Sequence, residues 1–419
     1  MTYIEFFGRN ATENVCSSLS NAPDRVIFVG NNSKMMKKHI AYYQRVFDNR
    51  GEKIQFEYRS VARNDVDNAV SQLEKLLEEY PDCVFDITGG DELLLMALGI
   101  LRERHPEKHL QIHKFNLRGG TIYDCDMDNN TIYEQTPSLT GEEHIHIYGG
   151  GVRYGEVADF GTYKWDMNEE FVWDIDLMWC ICKKDVRLWN IQTGIFAAAE
   201  QIGEVEEDGL TTTVSIPELE EYMSTGKIRY RHVDAVVKEL YREGLITSFM
   251  EINGQTFIIT YKNEQVKRCL TKAGQVLEMK VFIAAMNSRD KEGNPVYNDV
   301  MNGVVMDWDG DVRTVGDQSR FDTENEIDVL MMHGVIPVFV SCKNGIVTAE
   351  ELYKLNTVAE RFGGEYSQKA LVATALNMQG ASANHMRQRA LDMHIQLIED
   401  VQNMEDSEFS RKMGNLWTN

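Results

Sequence analysis

The chain has 419 residues, of which 43% are hydrophobic, and its formal net charge at pH 7 is −23. This length predicts more than one domain, and the negative charge argues against a protein that coats nucleic acid through a broadly basic surface. No run approaches the roughly 20 apolar residues of a membrane span, and the first residues lack a basic start followed by an apolar stretch, so we expect a cytoplasmic protein without a membrane segment.

Strands and helices alternate in the first part of the chain. The apolar run RVIFVG (25–30) ends at a polar turn, and a helix is predicted over 34–49. The same alternation continues to residue 115, with a strand, a short turn and a helix in each unit. This spacing predicts a doubly wound α/β domain with a parallel sheet.

Two polar turns follow strands of this predicted sheet. Ligands bind such sheets at the carboxyl ends of the strands, where backbone N–H groups and helix N-termini favour anions and glycines admit a ligand close to the backbone. The turns therefore predict a site for a phosphate-containing ligand, although Gly-rich turns are common in α/β proteins and the dinucleotide and P-loop fingerprints are absent. The turn residues are Gly30, Asn31, Asn32, Ser33 and Lys34 in the first turn and Thr88, Gly89, Gly90 and Asp91 in the second.

The segments YIEFF, ENVCSSL, RVIFVG and especially DITGGDELLLMALG resemble the CRISPR-associated Rossmann-fold sensor, the CARF domain. The resemblance implies a sensor over residues 1–148 that binds a cyclic oligoadenylate across a symmetric homodimer, with cyclic tetra-adenylate as the activator. It also implies which turn residues line the ligand pocket, namely Asn31, Ser33, Thr88, Gly89, Gly90 and Asp91.

The segment HIHIYG precedes a glycine run at 149–151 and alternates like a strand. His144 and His146 would then lie on one strand face. Both metal binding and an ordinary half-buried position fit such histidines, and the ordinary position is the more frequent. The glycine run is the predicted end of the sensor.

Residues 149–265 predict a winged-helix-like connector. A helix start at Ser215 and a helix over 231–243 precede two strand-like runs, ITSFMEI and QTFIITY, which are joined by Asn253-Gly254, a strong hairpin signal. A winged helix can read DNA, but acidic residues in the second helix would repel phosphates. We therefore favour a role as connector or dimer support over DNA reading.

Residues 266–419 contain two predicted strands that form a hairpin. Pairing of Met332 with Pro337 would place four polar side chains on one face and four apolar side chains on the other. The polar residues are Glu326, Asp328, Ser341 and Lys343, and the apolar residues are Ile327, Val329, Val340 and Cys342. Such carboxylates can hold Mg²⁺ or Mn²⁺, while the lysine orients a nucleophile or stabilises a transition state.

This hairpin resembles the PD-(D/E)xK restriction-endonuclease-like core, and the run SCKNGIVTAEELYKLNTVAERFGGEYSQKALVATAL (341–376) resembles nucleases fused to CARF sensors in type III CRISPR systems. The resemblance implies that Asp328 is a metal ligand and that Lys343 is the motif lysine. Glu278, in a predicted helix over 270–286, matches an acidic residue that some members place there.

Ser341 stands where the motif normally carries Asp or Glu. Some members of the superfamily with Ser at this position recruit a carboxylate from the next helix, and Glu350 or Glu351 matches that place. The resemblance therefore implies a metal site of Asp328, Glu278 and Glu351. Glu351 has a second explanation, since Thr348-x-x-Glu351 has the form of a capping box.

After the hairpin, the pattern predicts a helix over 349–362, a strand over 370–376 and a last helix over 384–404. The resulting hypothesis is a cyclic oligoadenylate-activated, metal-dependent endonuclease that acts as a homodimer on single-stranded DNA or RNA. The alternative is a CARF-containing, ligand-responsive transcription regulator with a degenerate nuclease domain. The winged-helix pattern and Ser341 motivate that alternative.

Overall fold

The computed structural model describes residues 1–125, 131–133, 137–155, 161–224, 233–310, 324–345, 347–375 and 381–418. Three β-sheets organise these residues, and clusters of buried hydrophobic side chains pack against the sheets. Within these ranges, every helix is too short or too polar to cross a membrane. The fold is of the mixed α/β class, as the sequence predicts.

The first sheet is built from the N-terminal third of the chain. Its elements are β1 (Thr2–Phe6), α1 (Cys16–Asn21), β2 (Arg25–Gly30), α2 (Ser33–Asn49), β3 (Gln55–Ser60), α3 (Val66–Glu79), β4 (Val84–Asp86), α4 (Glu92–Arg104), β5 (Gln111–Asn116), β6 (Thr121–Asp124) and β7 (Thr131–Tyr133). The strand order is β3-β2-β1-β4-β5-β6-β7, and the first five strands are parallel. This confirms the predicted doubly wound sheet.

Both faces of this sheet are covered by helices. α2 packs on one face around Phe28 and Tyr43, and α3 and α4 pack on the other around Ile4 and Ile27. Because β1 and β2 are buried on both faces, neither sequence alternates between apolar and polar residues. β2 is an apolar run after Arg25, whereas β1 carries the buried Glu5 among apolar residues. Because β2, β1 and β4 are neighbours and run parallel, their carboxyl ends lie side by side at one edge of the domain.

The first four residues of the segment HIHIYG lie in a helix and not in the predicted strand. Helix α5 (Gly141–Ile147) begins with a capping box in which the Thr140 hydroxyl accepts from the Glu143 backbone N–H, and the Glu143 carboxylate accepts from the Thr140 N–H. His144 and His146 are buried in this helix, and His144 contacts the Phe362 carbonyl oxygen at 2.7 Å. Strand β8 (Gly151–Arg153) follows and joins the third sheet.

The second sheet belongs to the middle of the chain and has the order β11-β12-β10-β9. Its elements are α6 (Glu169–Cys182), α7 (Val186–Ile202), β9 (Glu204–Val205), β10 (Thr211–Ser215), α8 (Ile216–Ser224), α9 (Asp234–Arg242), β11 (Ile246–Ile252) and β12 (Thr256–Tyr261). Asn253 and Gly254 have φ values of 53° and 65°, as a tight hairpin turn requires. The predicted order of two helices and a hairpin is confirmed, with β9 and β10 as additional strands.

The third sheet has the order β17-β16-β15-β14-β13-β8. Its elements after β12 are α10 (Glu264–Thr271), α11 (Gln275–Met286), β13 (Asp299–Asp307), β14 (Glu324–His333), β15 (Ile336–Lys343), α12 (Ala349–Phe362), β16 (Gln368–Ala373), α13 (Ala381–Asp392), β17 (Ile395–Ile398) and α14 (Asp406–Gly414). β13, β14 and β15 pair antiparallel, whereas β15, β16 and β17 run parallel. α11 covers one face of this sheet and α12 the other.

The predicted last helix over 384–404 is wrong in its second half. α13 ends at Asp392, His394 adopts a φ of 54°, and the apolar run Ile395–Ile398 becomes the edge strand β17. The left-handed turn at His394 stops the helix, and pairing with β16 then satisfies the backbone of the strand. The division into domains over 1–148, 149–265 and 266–419 stays a prediction.

Candidate functional site

The hairpin of β14 and β15 has the predicted register. Met332 pairs with Pro337, and the ladder continues to the pair Val329–Val340. Beyond that pair the Asp328 side chain crosses to β15, where its Oδ2 accepts from the Cys342 backbone N–H at 2.6 Å and from the Ser341 hydroxyl at 3.1 Å. Ser341 therefore fixes the orientation of the Asp328 carboxylate.

The alternation of side chains in β14 is interrupted at Asp328. Asn302 pairs with Val329 and Val304 with Ile327, but Gly303 between them has a φ of 58° and interrupts the ladder. As a result, Ile327 packs in the core beneath α12, whereas Val329, Val340 and Cys342 pack beneath α11. The prediction that Ile327 shares a face with these three residues is wrong, because the irregular backbone at Gly303 shifts the period-two pattern.

Three carboxylates meet at this irregularity. Glu278 from α11, Glu326 and Asp328 from β14 each offer an oxygen, and these oxygens lie within 4.8 Å of one another. Glu278 is only 4% exposed, and its Oε2 has no hydrogen-bond partner among the described residues. An orphaned buried oxygen beside two further carboxylates fits a hard divalent cation such as Mg²⁺ or Mn²⁺.

The pKa values of Glu278 and Asp328 indicate that burial destabilises the charged forms of these carboxyls. Burial raises the pKa of Glu278 to about 8, against an opposing effect of Lys272. Burial also raises the pKa of Asp328, while the Lys343 ammonium and the Cys342 N–H act in the opposite direction. The charged carboxylates are therefore unfavourable here without a cation, and a bound cation would stabilise them.

Lys343 and Glu351 form an ion pair on the other side of Asp328. Lys343 Nζ lies 3.0 Å from Glu351 Oε2 of α12. Burial lowers the pKa of Lys343, but the Asp328 and Glu351 carboxylates outweigh it and hold the lysine in its charged form. Glu351 thus lies against Lys343 and outside the group of three carboxylates. The third carboxylate, beside Glu278 and Asp328, is that of Glu326.

The alternative explanation of Glu351 as a capping-box residue finds no support in the described part of the chain. Thr348 occupies the N-cap of α12, but its side chain makes no capping hydrogen bond there. Glu350 is exposed and pairs with Lys354 at 3.0 Å. Glu351 is the α12 carboxylate that reaches the candidate site.

The two predicted ligand-binding turns lie next to one another across the end of β1. Asn31 Nδ2 donates to Asp91 Oδ2 at 3.1 Å and so connects the first turn to the second. Asn32 caps α2 by accepting from the Met35 N–H, and Asp91 caps α4 by accepting from the Leu94 N–H. Ser33 and Lys34 are exposed at the start of α2. The starts of two helices thus lie at one edge of the sheet, and helix starts favour anions.

The glycines of the second turn allow close packing against β1. A Cβ at Gly90, whose φ is 93°, would lie 2.5 Å from the Phe6 Cβ, and one at Gly89 would lie 2.9 Å from the Phe6 carbonyl oxygen. Thr88 accepts from the Phe115 N–H through its hydroxyl at 2.7 Å, which ties the turn to β5. Both glycines are therefore required by the fold, whatever ligand approaches them.

No family model matches the sequence, and no curated protein matches it. Solved structures do show the fold. The chain is similar to the protein VC1899 from Vibrio cholerae, with a TM-score of 0.69 and 15% identity over 99% of this chain and 97% of that chain. It is also similar to Can2 from Sulfobacillus thermosulfidooxidans in complex with cyclic tetra-adenylate, with a TM-score of 0.65 and 15% identity over 100% of this chain and 99% of that chain. The fold is shared with both proteins over nearly their whole length.

Sequence reasoning missed two residues of the candidate site, Lys272 and Gly303. The predicted single helix over 270–286 is two helices, and Lys272 lies in the break between them, close to Glu278 and Glu326. Gly274, with a φ of 87° at the start of α11, was the available signal for that break. The loop after β1 was also missed, although a Cβ at Gly8 would lie 3.2 Å from the Gly90 nitrogen.

Proposed function

We propose that the protein is a metal-dependent nuclease that a cyclic oligoadenylate activates and that cleaves single-stranded DNA or RNA. The observation that carries the proposal is the group of Glu278, Glu326 and Asp328 beside Lys343. Its context supports the proposal, because the whole chain shares the fold of Can2, a protein whose structure holds cyclic tetra-adenylate.

In this proposal Glu278, Glu326 and Asp328 hold Mg²⁺ or Mn²⁺. When bound, such an ion acidifies a water molecule and neutralises charge on a phosphate. Lys343, held by Glu351 at 3.0 Å, places its ammonium where it can stabilise the negative charge that grows on the phosphate during attack. The Ser341 hydroxyl and the Cys342 N–H keep the Asp328 carboxylate directed into the site.

The proposed activator, cyclic tetra-adenylate, would bind at the two connected turns of the first sheet. The turns offer glycine backbone and two helix N-termini, and Lys34 adds a positive charge at the exposed start of α2. Ligand binding can switch a distant site only if the two states of the protein differ in their affinity for the ligand. A ligand that spans two copies of the chain would provide such a difference by changing how the copies are arranged.

The cleavage test uses purified protein, Mn²⁺ and end-labelled single-stranded DNA and RNA, with and without cyclic tetra-adenylate. Typical coupling between sites is about 5- to 150-fold, and we expect the activator to raise the cleavage rate within or above this range. A series of cyclic oligoadenylates of other ring sizes reports the preference of the sensor. Strands that stay intact with both Mn²⁺ and every activator would show that the nuclease proposal is wrong, and Asp328→Ala protein controls for contaminating nucleases.

The proposed homodimer would form through α4. This helix starts at the second ligand turn and leaves Leu95 and Met96 45% and 58% exposed, which is unusual for adjacent apolar residues on a helix. We expect the double change Leu95→Glu and Met96→Glu to convert a dimer to a monomer, measured by size-exclusion chromatography with light scattering. Leu391→Glu is the matched control, because Leu391 is 67% exposed on α13. A dimer that resists the α4 changes but dissociates in the control would place the interface elsewhere.

The regulator hypothesis keeps one observation in its favour, the winged-helix order of the second sheet. α9 exposes Lys238, Tyr241 and Arg242, although Arg242 is paired with Glu243 at 2.8 Å. Sequence-specific binding of duplex DNA that survives Lys343→Ala, in a protein without cleavage activity, would favour the regulator over the nuclease.

A further inference from the structure

Lys272 inserts an ammonium group among the candidate metal ligands. Its Nζ lies 2.7 Å from Glu326 Oε1 and 3.7 Å from Glu278 Oε2. Asp328 also contributes to the electrostatic environment of this lysine. One positively charged side chain of the protein therefore interacts with all three carboxylates of the group.

The Lys272 ammonium and a divalent ion compete for the same place. An ion that binds carboxylate oxygens at about 2.1 Å would lie within a few ångströms of Nζ, and two like charges at that distance repel strongly. Both cations are attracted to the same oxygens of Glu278 and Glu326. A divalent ion at these oxygens would therefore favour a position of the Lys272 side chain farther from them.

The structure provides a place for the displaced side chain. Lys272 is 46% exposed and lines a cleft of about 580 Å³ that opens beside Glu326 and Gly303. The cleft wall also carries Tyr163 and Arg268, whose guanidinium lies 4.0 Å from the centre of the Tyr163 ring. Aromatic rings and arginine planes are surfaces on which the bases of single strands stack, and a lysine in such a cleft pairs with phosphates.

We propose that Lys272 is a positioning residue that couples divalent-ion binding to nucleic-acid binding. In the free protein its ammonium occupies the carboxylate group, and a phosphate in the cleft draws it away and leaves the carboxylates to the ion. Because such coupling is reciprocal, each ligand raises the affinity for the other. This inference rests on the proposed nuclease function and adds the order in which the site is completed.

The experiment measures the affinity of the full-length protein for Mn²⁺ by isothermal titration calorimetry, with and without a twelve-residue oligothymidylate. Lys343→Met is used as the background, because this change is expected to stop cleavage during the titration. We expect Lys272→Met to raise the Mn²⁺ affinity of the oligonucleotide-free protein by about tenfold, a typical coupling between two sites. The oligonucleotide should raise the Mn²⁺ affinity of the background protein, which retains Lys272. It should have little effect on the Mn²⁺ affinity of the protein that also carries Lys272→Met.

Two matched variants complete the design. Lys280→Met also removes one positive charge, in this case from α11. Because Lys280 pairs with Asp176 at 2.6 Å, the Mn²⁺ affinity of this variant should not change. Lys272→Arg keeps the charge and should keep the coupling. A lower or unchanged Mn²⁺ affinity in Lys272→Met, or coupling that persists in it, overturns the inference. If the wild-type protein cleaves with activator in that case, the nuclease proposal stands, whereas a wild-type protein without cleavage refutes the nuclease proposal itself.

Discussion

Asp328→Asn is expected to lower the rate of strand cleavage by at least about 1000-fold. The side chain keeps its size and can still accept from the Cys342 N–H, but it loses the negative charge that Asp328 contributes to the group with Glu278 and Glu326. A metal ion stabilises the transition state by several kcal/mol, and about 4 kcal/mol corresponds to roughly 1000-fold in rate. Single-turnover cleavage of a labelled strand at saturating Mn²⁺ and activator measures the loss.

The matched control for this change is Asp290→Asn. Asp290 lies in the turn between α11 and β13, where its Oδ1 accepts from the Asn294 N–H at 2.7 Å, and it is exposed. The control makes the same change of charge at an aspartate that also accepts a backbone hydrogen bond. We expect its cleavage rate to stay within about twofold of wild type, as for surface changes away from the chemistry. A wild-type rate in Asp328→Asn would remove Asp328 from the catalytic site.

The first sheet could be predicted from the sequence because its central strands are buried on both faces. After Arg25, RVIFVG is a continuous apolar run that ends in a polar turn, so strand, turn and helix start are each marked by different residue types. HIHIYG could not be placed by the same reasoning, since four alternating residues do not separate a strand from a short helix. The capping box of Thr140 and Glu143 was the local signal that decided for the helix.

Only the part of the candidate site that lies on the hairpin of β14 and β15 could be predicted, because strand pairing determines which residues of the hairpin are neighbours. The sum rule of antiparallel strands placed Asp328 next to Ser341, and the hydrogen bond between them agrees. The position of Glu326 depends on the irregular backbone at Gly303 in β13, and that strand was not part of the prediction. Lys272 reaches the site from a break between helices, and such tertiary proximity leaves no periodic trace in the sequence.

Glu278→Gln and Glu351→Gln are expected to have unequal effects, which identifies the carboxylate that compensates for Ser341. Glu278 is in the group of three acids, whereas Glu351 contacts Lys343 instead. Loss of a residue that acts through another ligand typically costs about 10- to 100-fold in metal affinity or activity, and loss of a direct ligand should cost at least as much. We therefore expect an at least 100-fold lower Mn²⁺ affinity in Glu278→Gln and a change of about tenfold or less in Glu351→Gln.

The measurement is the Mn²⁺ dependence of the cleavage rate together with calorimetric Mn²⁺ binding, so that a loss of rate is separated from a loss of affinity. In Glu351→Gln the rate at saturating Mn²⁺ should fall more than the affinity, because Lys343 loses the partner that holds its ammonium at 3.0 Å. In Glu278→Gln the Mn²⁺ affinity should fall more than the rate at saturating Mn²⁺, because a buried oxygen of the three-carboxylate group is removed. The opposite result would mean that α12 supplies the missing ligand and that Glu351 leaves Lys343 when the ion binds.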